Sequence, residues 1–209
     1  MQPAAVHEPT PPIRARPLRA GDRLSALDEL RGRLLEPEDA AAMRVPGGHT
    51  EAAVLVPLHG LGEDPGVVFT ERRHDLSRHA GEISFPGGRR DHPGEDLRST
   101  ALREAEEEIG LDPAGVELIG ALPPIGTFVT NYRVHPFVGL VAPGLEYTLN
   151  PGEVETLLDF RIAQLREGFA MRRLVRRGVP FRTPTYEVDG HLIWGATARI
   201  LGGLLERMD

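Results

Sequence analysis

An α+β fold with a mixed sheet follows from the order of the patterned segments. Helical periodicity fills the early part, β-rich runs follow, one strongly patterned helix stands in the middle, and further strands precede a closing helix. The regular β-α-β alternation of an all-parallel sheet is absent. Composition agrees, since 40% hydrophobic and 26% charged residues over 209 positions are enough for one good core.

Met1 to about Arg19 carries Pro3, Pro9, Pro11, Pro12 and Pro17, a density that reads as an arm outside the core. From Asp22, the spacing of Leu24, Leu27, Leu30, Leu34 and Leu35 predicts a helix, and a short second helix is expected from Pro37 to about Met43. Residues 1–50 are therefore read as an arm plus helical addition, and 51–209 as the main domain. Ala52 to Leu58 and Val67 to Glu71 are β-rich and joined by the His59 to Gly66 loop, as in a hairpin. A long polar loop is expected next, running into Ile83-Ser84-Phe85-Pro86-Gly87-Gly88. Glu95 to Gly110 gives the strongest helix signal, closed by Gly110 with Pro113 beyond it. Val116 to Leu122 and Arg133 to Val141 read as strands. Glu153 to Glu167 is mixed with a short helix, Ala170 to Arg176 and Thr185 to Val188 are strands, and Asp189-Gly190 turns the chain into His191 to Trp194. Ala196, Ile200, Leu204 and Met208 mark the closing helix.

The chain contains no cysteine, which excludes disulfides, Cys-ligated metal and thiol nucleophiles. No apolar run approaches the ~20 residues of a membrane helix, and no signal-peptide pattern opens the chain, so a cytoplasmic protein is expected. A net charge of −7 argues against a nucleic-acid partner. All 24 basic residues are arginine, whose fork suits phosphate, although codon bias accounts for the same count.

On the central helix, an advance of ~100° per residue puts Glu104, Glu107 and Glu108 within about a 100° arc. Ala101, Leu102, Ala105 and Ile109 form the opposite, docking side. A solvated acidic face with local arginine partners is one reading; a site for a hard divalent cation is the other. Two features favour the cation. Gly87-Gly88 can bring backbone close to an anion or metal, and Arg103 can pair with a carboxylate and hold its rotamer.

Gly88, Glu95 and Arg103-Glu104-Ala105-Glu106-Glu107-Glu108-Ile109-Gly110-Leu111 together resemble the Nudix box of the Nudix hydrolases. One residue more than in the family separates Gly88 from Glu95, and Ala105 is smaller than the usual aliphatic. The resemblance implies a Nudix fold, a mixed β-sheet sandwiched between helices. It also implies Mg²⁺ or Mn²⁺ on Glu104, Glu107 and Glu108, and catalysis by these three with Arg103. Phe69-Thr70-Glu71-Arg72 and Arg78-His79-Ala80-Gly81 through Gly88 are similar to the extra motif of the coenzyme A diphosphatase branch, as is Ile193-Trp194-Gly195-Ala196-Thr197 to its C-terminal segment. That branch's usual arginine falls at Ser77, one position before Arg78. The implied activity is hydrolysis of the coenzyme A pyrophosphate, with Arg72, Arg78, His79, Phe85, Gly87 and Gly88 binding substrate. Glu153 and Glu155 are candidates for the general base, alongside a box glutamate. Competing readings are a Nudix hydrolase of ADP-ribose or a dinucleotide, and a Nudix-fold module that binds a nucleotide without cleaving it. The oligomeric state stays open between monomer and homodimer.

Overall fold

The computed structural model describes residues 20–62, 64–74, 81–127, 131–176 and 178–209. Helices α1 (Ala20–Arg33) and α2 (Pro37–Ala42) lead into strand β1 (Thr50–His59). After β2 (Gly66–Arg72) come two short strands, β3 (Ile83–Ser84) and β4 (Gly87–Arg89), then helix α3 (Leu97–Ile109). Strands β5 (Glu117–Ala121), β6 (Ile125–Gly126), β7 (Tyr132–Leu140) and β8 (Val154–Arg161) follow, with α4 (Ile162–Glu167) after them. The chain ends with β9 (Phe169–Arg176), β10 (Val179–Val188), β11 (His191–Ile193) and α5 (Gly195–Arg207).

β1 is the centre of an eight-stranded mixed sheet. It runs parallel to β7 over its length and antiparallel to β2 and β4 at its two ends, while β8 extends the sheet beyond β2. Strand side chains alternate between faces, so β1 feeds two cores. Ala53 and Leu55 meet Ala101, Ala105 and Ile109 of α3 on one side. Val56 and Leu58 join Phe69, Val138, Leu201 and Leu204 on the other, under α5. Burial on both faces explains why β1 reads as a nearly continuous apolar run. A second, antiparallel sheet is ordered β11-β10-β9. Among the described residues no helix is long and apolar enough to cross a membrane.

Four expectations are corrected. The Gly87-Gly88 end of the polar loop is strand β4, which is mostly glycine, has no strand propensity of its own, and exists because it pairs with Ala52–Val54 of β1, whereas β3 falls on the apolar, strand-like Ile83 to Phe85 stretch. Within Glu153 to Glu167, the first half is a strand, with Val154, Leu158 and Phe160 buried and Glu155 and Asp159 exposed. β10 starts at Val179 instead of Thr185, because the long register with β9 carries it through Pro180 and Pro184. Helix α3 starts at Leu97, since the Asp96 side chain accepts the Arg98 N–H as an N-cap and leaves Glu95 outside.

The N-terminal helices are packed into the main core. Leu30 is buried in the α5-side cluster and Ala40 in the α3-side cluster, and Leu35 bridges to Ala121. Leu30→Ala is expected to destabilise the chain by about 2–5 kcal/mol in urea unfolding, as for other buried Leu→Ala changes. An exposed-site change below about 0.5 kcal/mol would show that α1 does not share the core.

Parallel pairing of β1 with β7 sets Glu51 beside Arg133. The Glu51 carboxylate bonds Arg133 at 2.9 Å and His135 Nε2 at 2.7 Å. Burial lowers the pKa of His135 below the ordinary 6.5 although Glu51 pulls it up. Its Nδ1 has no partner among the described residues, so a second ring proton would find no acceptor. The unfolded chain therefore takes up this proton more readily than the folded one. The contribution to stability is complete above about pH 6.5 and declines as pH falls towards the folded value. Urea unfolding of wild type and His135→Gln between pH 7.5 and 5 should show the extra acid loss only in wild type; equal slopes would refute it.

Candidate active site

Helix α3 is positioned by its caps and its apolar side. Gly110 takes the left-handed conformation at φ 66° and its N–H bonds the carbonyls of Ala105 and Glu106, a stop that a side chain would resist. With Ala101, Ala105 and Ile109 packed on the sheet, Glu104 and Glu108 are turned to the Gly87-Gly88 turn one helical turn apart. Glu108 is 6% exposed and accepts the Gly87 N–H at 3.1 Å. A Cβ at Gly88 would lie 2.3 Å from Glu104 Oε2, so the turn and the carboxylate touch because residue 88 has no side chain.

The extra residue in the Gly88 to Glu95 segment leaves this contact intact. It is taken up in a turn where the Asp91 N–H donates to Glu95 Oε2 at 2.7 Å and the Glu95 N–H to the His92 carbonyl at 3.0 Å. Glu95 in turn accepts Arg103 Nε at 3.0 Å. Arg103 spans the site: its Nη1 donates to Glu104 at 3.0 Å and to Glu107 at 3.2 Å, and its Nη2 to the Arg89 carbonyl. Partial burial works against its charge, yet these carboxylates raise its pKa further above the ordinary range. Bonds from Arg103 and Asp91 hold Glu95 below the usual carboxylate range against the opposing effect of desolvation. The clamp by Glu95 is not visible on a helical wheel, because Glu95 lies before the N-cap.

The three box carboxylates differ. Burial raises Glu104, with the Arg103 charge opposing and Glu107 and Glu153 adding to the rise. Burial pushes Glu108 up to about 7; the Gly87 N–H counters, while the charges of Glu104 and Glu153 add to the rise. Glu107 is 57% exposed and turned to Arg103. Two carboxylates kept from water and facing each other's charge favour a cation between them and substrate.

The NUDIX domain family model matches residues 48–178. The chain belongs to the Nudix family. Among similar proteins, the "Uncharacterized Nudix hydrolase NudL" of Shigella flexneri serotype 5b is 39% identical over 160 residues, 76% of this chain and 82% of that protein. The protein of the same name from Escherichia coli O157:H7 is 39% identical over 155 residues, 73% of this chain and 80% of that one. Among solved structures, the Nudix hydrolase RenU of M. Smegmatis aligns with a TM-score of 0.48 at 21% identity, over 57% of this chain and 75% of that chain. The C. elegans Ap4A hydrolase binary complex aligns with a TM-score of 0.43 at 18% identity, over 51% and 76%.

In this Nudix hydrolase, the remaining residues expected at the site fall into three groups. Arg72 ends β2, and its charge is near enough to Glu108 to lower that group's pKa; its backbone bonds Gly81 and Glu82. Glu153 is exposed, and its charge reaches both Glu104 and Glu108, whereas Glu155 is the extra, unpaired residue of β8 where its register with β2 shifts between Glu71 and Arg72. Phe85, expected as a substrate contact, has its ring buried and stacked on Phe69, centroids 4.7 Å apart, beneath the glycine turn. Arg78 and His79 lie outside the described residues. Thr197, in the C-terminal segment noted from sequence, donates to the Ile83 carbonyl at 3.1 Å and ties α5 to the start of the glycine loop.

Among the described residues, no three His, Asp or Glu side chains are gathered to hold a metal ion by themselves. A full protein cage is not required for Mg²⁺, which takes one or two carboxylates and fills its octahedron with waters and substrate phosphates. Glu104 and Glu108 beside a half-buried backbone turn fit that demand.

Proposed function

We propose that this Nudix hydrolase is a coenzyme A diphosphatase. It cleaves the pyrophosphate of coenzyme A and its derivatives to adenosine 3′,5′-bisphosphate and 4′-phosphopantetheine, with Mg²⁺ or Mn²⁺. The observation that carries the reading is the hydrogen-bonded course of the loop before the glycine turn: the Arg72 N–H donates to the Glu82 carbonyl at 3.1 Å, Thr197 donates to the Ile83 carbonyl at 3.1 Å, and the Gly87 N–H donates to Glu108 at 3.1 Å. It makes the upstream segment, similar to the motif of that branch, a border of the carboxylate site. We read 51–209 as the hydrolase domain, with 1–50 as its N-terminal addition, a small molecule as its partner, and the cytoplasm as its location.

Glu104 and Glu108 would hold the metal, with Glu107, paired with Arg103, at the margin of the site. When bound, the ion supplies neutralisation of the phosphate charge and makes the attacking water more acidic. Arg103 orients Glu104 and Glu107, so that neither has to reorganise during the reaction. Gly87 and Gly88 let a phosphate approach the backbone. Arg72 contacts the diphosphate with a charge-assisted hydrogen bond, leaving Arg78 and His79 for the 3′-phosphate. Glu153 accepts the proton of water as its oxygen bonds to phosphorus, and the bridging P–O bond breaks with its electron pair on the departing phosphate.

Incubation with Mg²⁺ and coenzyme A, ADP-ribose or a dinucleotide in parallel, followed by mass analysis of products, tests the assignment. The expected products come from coenzyme A. Intact coenzyme A beside cleaved ADP-ribose or dinucleotide would overturn the substrate. Arg72→Ala should lower kcat/KM for coenzyme A by about 10- to 100-fold, the loss of one charge-assisted hydrogen bond; an unchanged value removes Arg72 from the site.

A further inference from the structure

The segment from Phe169 to Tyr186 holds five arginines, at 172, 173, 176, 177 and 182, and neither Asp nor Glu, in a chain of net charge −7. The strand register sets Arg173 directly opposite Arg182, both exposed on the same face of the hairpin. Like charges in that position destabilise a sheet. Arg172, on the other face, is bound to Glu187, but among the described residues no carboxylate is bound to Arg173 or Arg182.

The same face carries exposed apolar side chains: Phe169 at 49%, Met171 at 45% and Val175 at 69%. It continues into an open groove of about 560 Å³ lined by Leu122, Ile125, Met171 and Tyr186. Arg199 and Arg207 also line the groove, with their guanidinium groups bonded to the carbonyls of Gly126, Gly203 and Arg33. Among the described strands β9 pairs with β10 alone, so its outer edge has backbone donors and acceptors for one more strand.

We propose that the outer edge of β9, with the Arg173–Arg182 face, docks an extended acidic segment of a partner protein that adds to the sheet as a strand. Apolar side chains of that segment would cover Met171 and Val175, and its carboxylates would separate the two guanidinium groups. Charge selects this occupant over a second copy of the chain, whose β9 would bring more arginine to the same place. The free edge selects it over an anionic bilayer, because lipid chains offer backbone groups no hydrogen bonds.

The test uses the full chain and a fluorescein-labelled, end-capped peptide as long as β9, with valine, glutamate and valine in turn on one face, against Met171, Arg173 and Val175, and threonine on the other, read by anisotropy. Saturable binding is expected, weakened at least tenfold by combined Arg173→Ala and Arg182→Ala, the loss of two charge-assisted contacts. It should also be weakened when the peptide amides that face β9 are N-methylated, and by raised salt. Coenzyme A hydrolysis should not change in the double variant, so the result is separable from that of the proposed activity. Equal binding of a valine–lysine peptide, or no loss in the double variant, would overturn the proposal. So would concentration-dependent self-association abolished by the double variant, or cosedimentation with phosphatidylglycerol vesicles in place of peptide binding.

Discussion

Glu104→Gln and Glu108→Gln should each lower turnover by more than about 100-fold, beyond the loss seen when residues that merely support metal ligands are changed. Both substitutions keep volume and remove charge. At Glu108 the charge is unfavourable without a cation, because burial and the neighbouring Glu104 and Glu153 all favour the neutral acid. The folded chain should thus be as stable as wild type in metal-free buffer, or more so, while losing activity. Steady-state rates with Mg²⁺, paired with urea unfolding in chelator, check both parts. Near wild-type rates in both variants, or full activity of wild type in excess chelator, would remove these carboxylates from the chemistry.

Alanine at the two adjacent glycines should separate folding from function. A Cβ at Gly87 would lie 2.4 Å from the Ala53 carbonyl oxygen and 2.6 Å from Val54 Cα, backbone of the central strand that cannot move aside. Gly87→Ala is therefore expected to destabilise by about 3 kcal/mol or more, the upper part of the range for overpacking. At Gly88 the atoms in the way belong to the Glu104 carboxylate, 2.3–2.5 Å from the added carbon. That side chain can rotate away, so Gly88→Ala should fold nearly as well as wild type and lose about 10- to 100-fold in kcat/KM through displacement of one carboxylate. Thermal unfolding and kinetics on both variants decide it. Equal stability of the two would mean that the turn adapts at Gly87, and unchanged rates in Gly88→Ala would mean that the Glu104 position is not needed.

The sequence by itself determined the α+β class, the pairing of β1 with β2, the two N-terminal helices, α3 with its docking side and carboxylates, and α5. These are decided by contacts short in sequence: periodicity, caps and turns. The Nudix box was legible for the same reason, since most of it is one helix whose spacing sets its faces. Tertiary structure decided what depends on partners distant in the chain. β4 has no strand signal and forms because β1 offers it an edge. Glu104, Glu107 and Glu108 share an arc, but the sheet and the glycine turn bury Glu108, half-bury Glu104 and leave Glu107 to solvent and Arg103. Glu95 reaches Arg103 because a one-residue-longer turn folds back on itself, and Phe85 became core because Phe69 lies beneath it. The Arg173–Arg182 juxtaposition depends on the hairpin register, which no local pattern states. Local pattern specifies which residues face the same way along one element; only packing between elements determines which of them lose their water, and the chemistry of a carboxylate or an arginine follows from that loss.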